Sequence, residues 1–113
     1  MADCAQELLS SSDTETHKRG LVLLADLVHR GHCIDSAPSF AAMAVLDSNW
    51  VVRKIALSLF ESLFKLGRGF DEASDAREKM NKIGEKEYLI DAESLGELIS
   101  TSKITLETER EDR

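Results

Sequence analysis

The side chains best placed for chemistry lie in the run His29-Arg30-Gly31-His32-Cys33. Imidazole nitrogen and thiolate sulfur are zinc ligands, and short spacing brings several of them to one place. A structural zinc site takes four ligands, however, and the other soft donors, Cys4 and His17, stand elsewhere without a Cys-x-x-Cys knuckle. The simpler expectation is a polar helix end, where His29 favours the negative pole of the helix dipole. A nucleophilic Cys–His pair has no better support, because neither cysteine lies in a glycine-rich elbow or near an oxyanion donor. Catalytic residues, metal ligands and cofactor-binding residues are therefore all expected to be absent, and the chain is expected not to be an enzyme.

The remaining polar groups lead the same way. Gly67-Arg68-Gly69 is a turn without the following Gly-Lys-Ser/Thr of a phosphate loop. Glu85 and Glu87 have no apolar pocket around them to shift their protonation. Arg53 and Lys54, with His17 and Lys18 at matching places, form a candidate basic ladder. Trp50 falls in the first turn of its helix and is expected to cover a seam between units; exposed, it would be an interface anchor.

The elements that carry these residues are helical. Of 113 residues, 42% are apolar, 5% aromatic and one is proline, a composition that favours helix over a sandwich or barrel. The net charge of −7 and the lack of clustered lysine and arginine exclude a phosphate-neutralising surface, so neither nucleic acid nor membrane is an expected partner. Asp3 and Glu7 interrupt any early apolar stretch, and no run approaches the ~18 apolar residues of a membrane helix. Two cysteines are too few for a disulfide framework, which gives the expectation of a reduced, cytoplasmic protein.

The chain repeats itself with a period of 36 residues. Ser12-Asp13 falls on Ser48-Asn49, His17-Lys18 on Arg53-Lys54, Leu23 on Leu59, Leu27 on Leu63 and Gly31 on Gly67. Each copy has a polar cap, a basic pair one turn in, an apolar helix of about four turns and a closing glycine. Ser12 with Glu15 forms a predicted capping box, Asp47 or Ser48 a predicted cap for the second copy, and Gly31 and Gly67 suit left-handed closures. A shorter helix follows each long one, over about 37–46 and 72–83, with Pro38 tolerated in an opening turn. Shifted back one period, Ala2 to Leu9 falls on Pro38 to Val45, with Cys4, Ala5, Leu8 and Leu9 as its apolar contacts. The order short, long, short, long, short is that of a solenoid.

The stretch Leu46 to Ala56, with Leu59, Leu63 and Gly67, resembles a HEAT repeat, in the short flavour similar to phycobilisome-lyase-like repeats. Asp47, Val52, Arg53, Ala56, Leu59, Leu63 and Gly67 carry the resemblance; the first copy departs from it at His17 and Gly20. The resemblance implies an all-α, short antiparallel helix-pair solenoid over 1–83 that binds proteins along one face, with no catalytic residue. It also implies that Arg53 pairs with an aspartate of a neighbouring unit, Asp13 or Asp47 being the mates at hand. The rival architecture is a death-fold-like helical bundle used in homotypic assembly.

Residues 84–113 are expected to be a separate segment: a linker, a capping helix over about 92–100, a weak strand over 103–109 and a disordered acidic tail from Glu107. The functional expectation is a scaffold or adaptor that binds a protein partner or itself, with no small-molecule substrate evident. An accessory subunit of a lyase-like or metal-dependent enzyme is the alternative. The partner-binding candidates are Trp50, Arg53 and Lys54, with Ser39 and Met43 on the first short helix and Arg77 and Asn81 on the second.

Overall fold

Three long helices begin 36 residues apart, at Thr14, Trp50 and Lys86. The computed structural model describes residues 13–111, with side chains described to Thr108. The expected helix over 2–9 and the proposed cap at Ser12 lie outside the described residues. Within them the chain is all-helical: α1 (Thr14–His29), α2 (Ala37–Ala44), α3 (Trp50–Lys65), α4 (Phe70–Ile83) and α5 (Lys86–Glu111). No helix among the described residues is long and apolar enough to cross a membrane.

The period is written in backbone hydrogen bonds as well as in residue types. His17 N donates to Asp13 O, Arg53 N to Asn49 O and Leu89 N to Glu85 O, at 2.9, 3.2 and 3.0 Å. These open the three long helices at equivalent positions. At the other end, His32 N reaches Leu27 O at 2.7 Å and Arg68 N reaches Leu63 O at 3.0 Å, one period apart. Both closures turn on a glycine with positive φ, 87° at Gly31 and 75° at Gly67. Such a backbone is strained for any residue with a Cβ, and the turn satisfies carbonyls that the helix leaves open.

The caps differ from those expected. α1 starts on Asp13, whose carboxylate accepts from Thr16 N at 3.1 Å and Thr16 Oγ1 at 2.7 Å. Glu15 pairs with Lys18 at 3.0 Å. α3 starts on Asn49, whose side chain accepts from Val51 N and Val52 N, while Asp47 Oδ1 accepts from Asn49 N. Asp13 and Asn49 are thus equivalent, one residue later than Ser12 and Ser48.

The larger correction concerns the C-terminal segment. Where a linker over 84–87, a helix over 92–100 and a strand over 103–109 were expected, Lys86 to Glu111 is one helix of 26 residues. The register continues into it, for the buried triad Gly20, Ala56 and Ala92 lies one period apart, and so does the buried pair Leu59 and Leu95. Beyond Ser100 the alternation of Ile104 and Leu106 mimics a strand. The threonines there, however, satisfy themselves along the helix, Thr105 Oγ1 on Thr101 O and Thr108 Oγ1 on Ile104 O.

Packing follows two rows. α3 lies between α1 and α5, and α2 lies beside α4; α2 also touches α3, and α4 touches α5. The molecule is 17 Å across its thinnest dimension, which fits two helix layers separated by a usual ~8–10 Å. α3 is the hub, burying Val52, Ala56, Leu59, Phe60, Leu63 and Phe64. Alanines at 37, 41, 73 and 76 keep the short helices close to it and to each other. Phe60, Phe64 and Phe70 stack in line, with centroids 5.7 and 4.6 Å apart.

Candidate functional site

The N-terminal turns of α3 and α5 meet around one guanidinium. Arg53 stands on the core side of α3 and is only 2% exposed. Its Nε donates to Asp91 Oδ2 at 2.8 Å, and one terminal nitrogen donates to Asp47 O at 2.9 Å and Ser48 O at 3.0 Å. The other terminal nitrogen lies 3.6 Å from the Glu87 carboxylate. Tyr88 lays its ring under the guanidinium, 4.9 Å from centroid to Cζ, and donates its hydroxyl to Leu46 O and Asp47 O at 3.3 Å each. Asp91, also buried, takes a second charge from Lys54 Nζ at 3.1 Å.

This arrangement holds shape. The planar fork of Arg53 is occupied by a carboxylate and two carbonyls, which is the use to which arginine is best suited. The mate of Arg53 is the carboxylate of Asp91 rather than that of Asp13 or Asp47; Asp47 contributes only its backbone oxygen. Arg53 is therefore absent from the outer surface. No basic ladder forms either: Lys18 is held by Glu15, and the third copy has Leu89 and Ile90 where the ladder would continue.

The clamp fixes the surface above it. Trp50 is the first residue of α3, one turn before Arg53, and is 65% exposed. It does not cover a seam. Lys54 is half-exposed beside it in the same opening turns, tied down by Asp91. Ser39 and Met43 both face solvent one turn apart on α2, Met43 being 69% exposed. Arg77 and Asn81 share a shallow groove between α4 and α5 with Gly96 and Ile99. There Arg77 Nε donates to Ala92 O at 3.1 Å, and Gly96 makes room, since a Cβ at that position would stand 2.8 Å from Arg77 Nε.

A cleft that the sequence reading passed over lies between α3 and the second half of α5. Phe64 and Leu98 form its floor, Leu106 one wall, and Thr101, Thr105 and Lys65 its polar rim, around a volume of about 290 Å³. It went unseen because residues 103–109 read as strand and tail. The step from Trp50 to Lys86, one period on, was the signal that would have placed a helix there.

His29 and His32 are exposed, and among the described residues no three potential ligands gather. Cys33 is disulfide-bonded, with φ 60°, so it offers no thiolate for metal or nucleophilic chemistry. No protein-family model, curated protein or solved structure matches the chain.

Proposed function

We propose that the chain is a non-enzymatic protein–protein interaction module, a scaffold or adaptor built as a short HEAT-like solenoid. The observation that carries this reading is Trp50: a large aromatic side chain, mostly in water, on a helix end held by a cap and a buried ion pair. Binding energy at protein interfaces concentrates in a few such residues, tryptophan foremost. A side chain presented from a rigid element also loses little freedom on binding. Met43 supplies a second exposed apolar group of adaptable shape.

The solenoid reading is supported by long helices that start at residues 14, 50 and 86 and by hydrogen bonds that repeat with the same step. It is also supported by the two-row packing, in which each helix touches mainly the next unit. A death-fold-like bundle has no reason to repeat its helix starts.

The test is affinity capture from cells of the native host with wild type and Trp50→Ala side by side, read by quantitative mass spectrometry. The expected result is a small set of proteins retained by wild type and lost with Trp50→Ala, while both proteins melt at the same temperature. Equal retention by the two would overturn the assignment of Trp50 as the anchor.

A further inference from the structure

The outward side of α1 carries a stripe of exposed residues, Glu15, Arg19, Val22 and Asp26, flanked by Leu23 and Arg30. Steps of four, three and four place the first four on one face of the helix. Val22 is 56% and Leu23 42% exposed. Leu23 is the equivalent of Leu59 and Leu95, both fully buried, so a position covered on the other two long helices is open here. Ile55 of α3 extends this apolar strip along a wide groove beside α1.

The charges on the stripe read the same from both ends. When two copies of α1 lie antiparallel about a two-fold axis between positions 22 and 23, Val22 meets Leu23, Arg19 meets Asp26 and Glu15 meets Arg30. Each pairing is made twice, and each is attractive. The same stripe laid parallel would set Arg19 on Arg19 and Asp26 on Asp26. A self-complementary patch of this kind is what an isologous dimer requires.

We propose that the outer face of α1 is a homodimer interface, in which α1 packs antiparallel on α1 of a second copy with Val22 and Leu23 at the centre. The intrahelical pairs now present, Asp26 with Arg30 at 3.3 Å and Glu15 with Lys18 at 3.0 Å, are exposed and give way to pairs between copies. α1 has 16 residues and is about 24 Å long, which makes the interface small. The dimer is accordingly weak, with a dissociation constant on the order of tens of micromolar. The surface is separate from the Trp50 face, so either reading stands if the other fails.

Sedimentation equilibrium of the full chain from about 1 µM to 1 mM tests this. Wild type is expected to pass from monomer to dimer and stop there. Arg19→Asp and Asp26→Arg each turn two attractions into repulsions, and each raises the dissociation constant by roughly tenfold. The double variant Arg19→Asp/Asp26→Arg re-creates the pairs with signs exchanged and returns within a few-fold of wild type. Both substituted positions, Arg19 and Asp26, are exposed, so circular dichroism melts stay unchanged. A monomer throughout the range, a dimer indifferent to the single reversals, or singles not rescued by the double would overturn the proposal. Growth beyond dimer would do so too and would assign the face to a head-to-tail contact.

Discussion

Asp91→Ala is the substitution whose cost follows most directly from the structure. The Asp91 carboxylate neutralises two cations, Arg53 at 2.8 Å and Lys54 at 3.1 Å. Lys54 is 52% exposed and recovers its hydration when Asp91 is removed, so its share is about 1 kcal/mol or less. Arg53 cannot recover: it stays buried with two carbonyls and a carboxylate 3.6 Å away on the exposed Glu87 side chain. Leaving one charge of a buried pair without its mate costs about 3–5 kcal/mol, a large part of the ~5–15 kcal/mol that holds a domain together. Urea titration followed by circular dichroism should show the unfolding free energy falling by that amount, through a lower midpoint at an unchanged slope. The double variant Arg53→Met/Asp91→Leu removes both charges and should lose less than Asp91→Ala alone, with a coupling of at least ~2 kcal/mol between the two sites. A loss below about 1 kcal/mol for Asp91→Ala, or strict additivity in the double, would refute the account of Arg53 as a buried clamp.

Other outcomes follow from the same structure. Asp13 is held below the ordinary carboxylate range first by the Thr16 hydroxyl, then by the Thr16 amide, with Arg19 helping and burial opposing. Its folded value is thus below its unfolded one, so its contribution is complete above the unfolded value and is lost as pH falls through the folded one; Asp13→Asn should flatten the acid limb of stability against pH, and amide exchange in the first turn of α1 should quicken. Gly96→Ala gains about 1 kcal/mol of helix propensity but displaces Arg77 from Ala92 O. Its melting temperature should therefore stay near wild type, while Arg77→Ala/Gly96→Ala should exceed Arg77→Ala by about 1 kcal/mol. Gly67→Ala meets no neighbouring atom, and φ is +75°; it should cost about 1–2 kcal/mol by thermal melting, from backbone strain alone.

Much of the architecture was legible in residue types. The wide apolar arcs of Leu21 to Val28 and Val52 to Leu63 set α1 and α3 in place, and Gly31 and Gly67 marked where they stop. The period that related them carried further than it seemed to. It fades in side chains after Ile83 because the third long helix replaces Arg53 and Lys54 by Leu89 and Ile90, yet it persists in the small buried residue at 92 and the leucine at 95. The buried ion pair was half legible: Arg53 announced a carboxylate partner, but Asp91 sits 38 residues away, and only the placement of α5 makes it the mate. Trp50 was ambiguous for a physical reason, since a first-turn aromatic covers a seam only if a neighbour stands beside it, and that depends on packing. The Cys33 disulfide was not legible at all, since a pair of cysteines fixes neither pairing nor oxidation state.

The central claim, that Trp50 anchors a protein partner, is tested most directly by its own fluorescence, for it is the only tryptophan in the chain. In the free protein the exposed indole should emit at the red, solvated end of its range and be quenched readily by acrylamide. Titration with a captured partner that lacks tryptophan should shift the emission to the blue and shield it from the quencher, saturating at the stoichiometry of the complex. A partner bound at full occupancy with emission and quenching unchanged would contradict the claim.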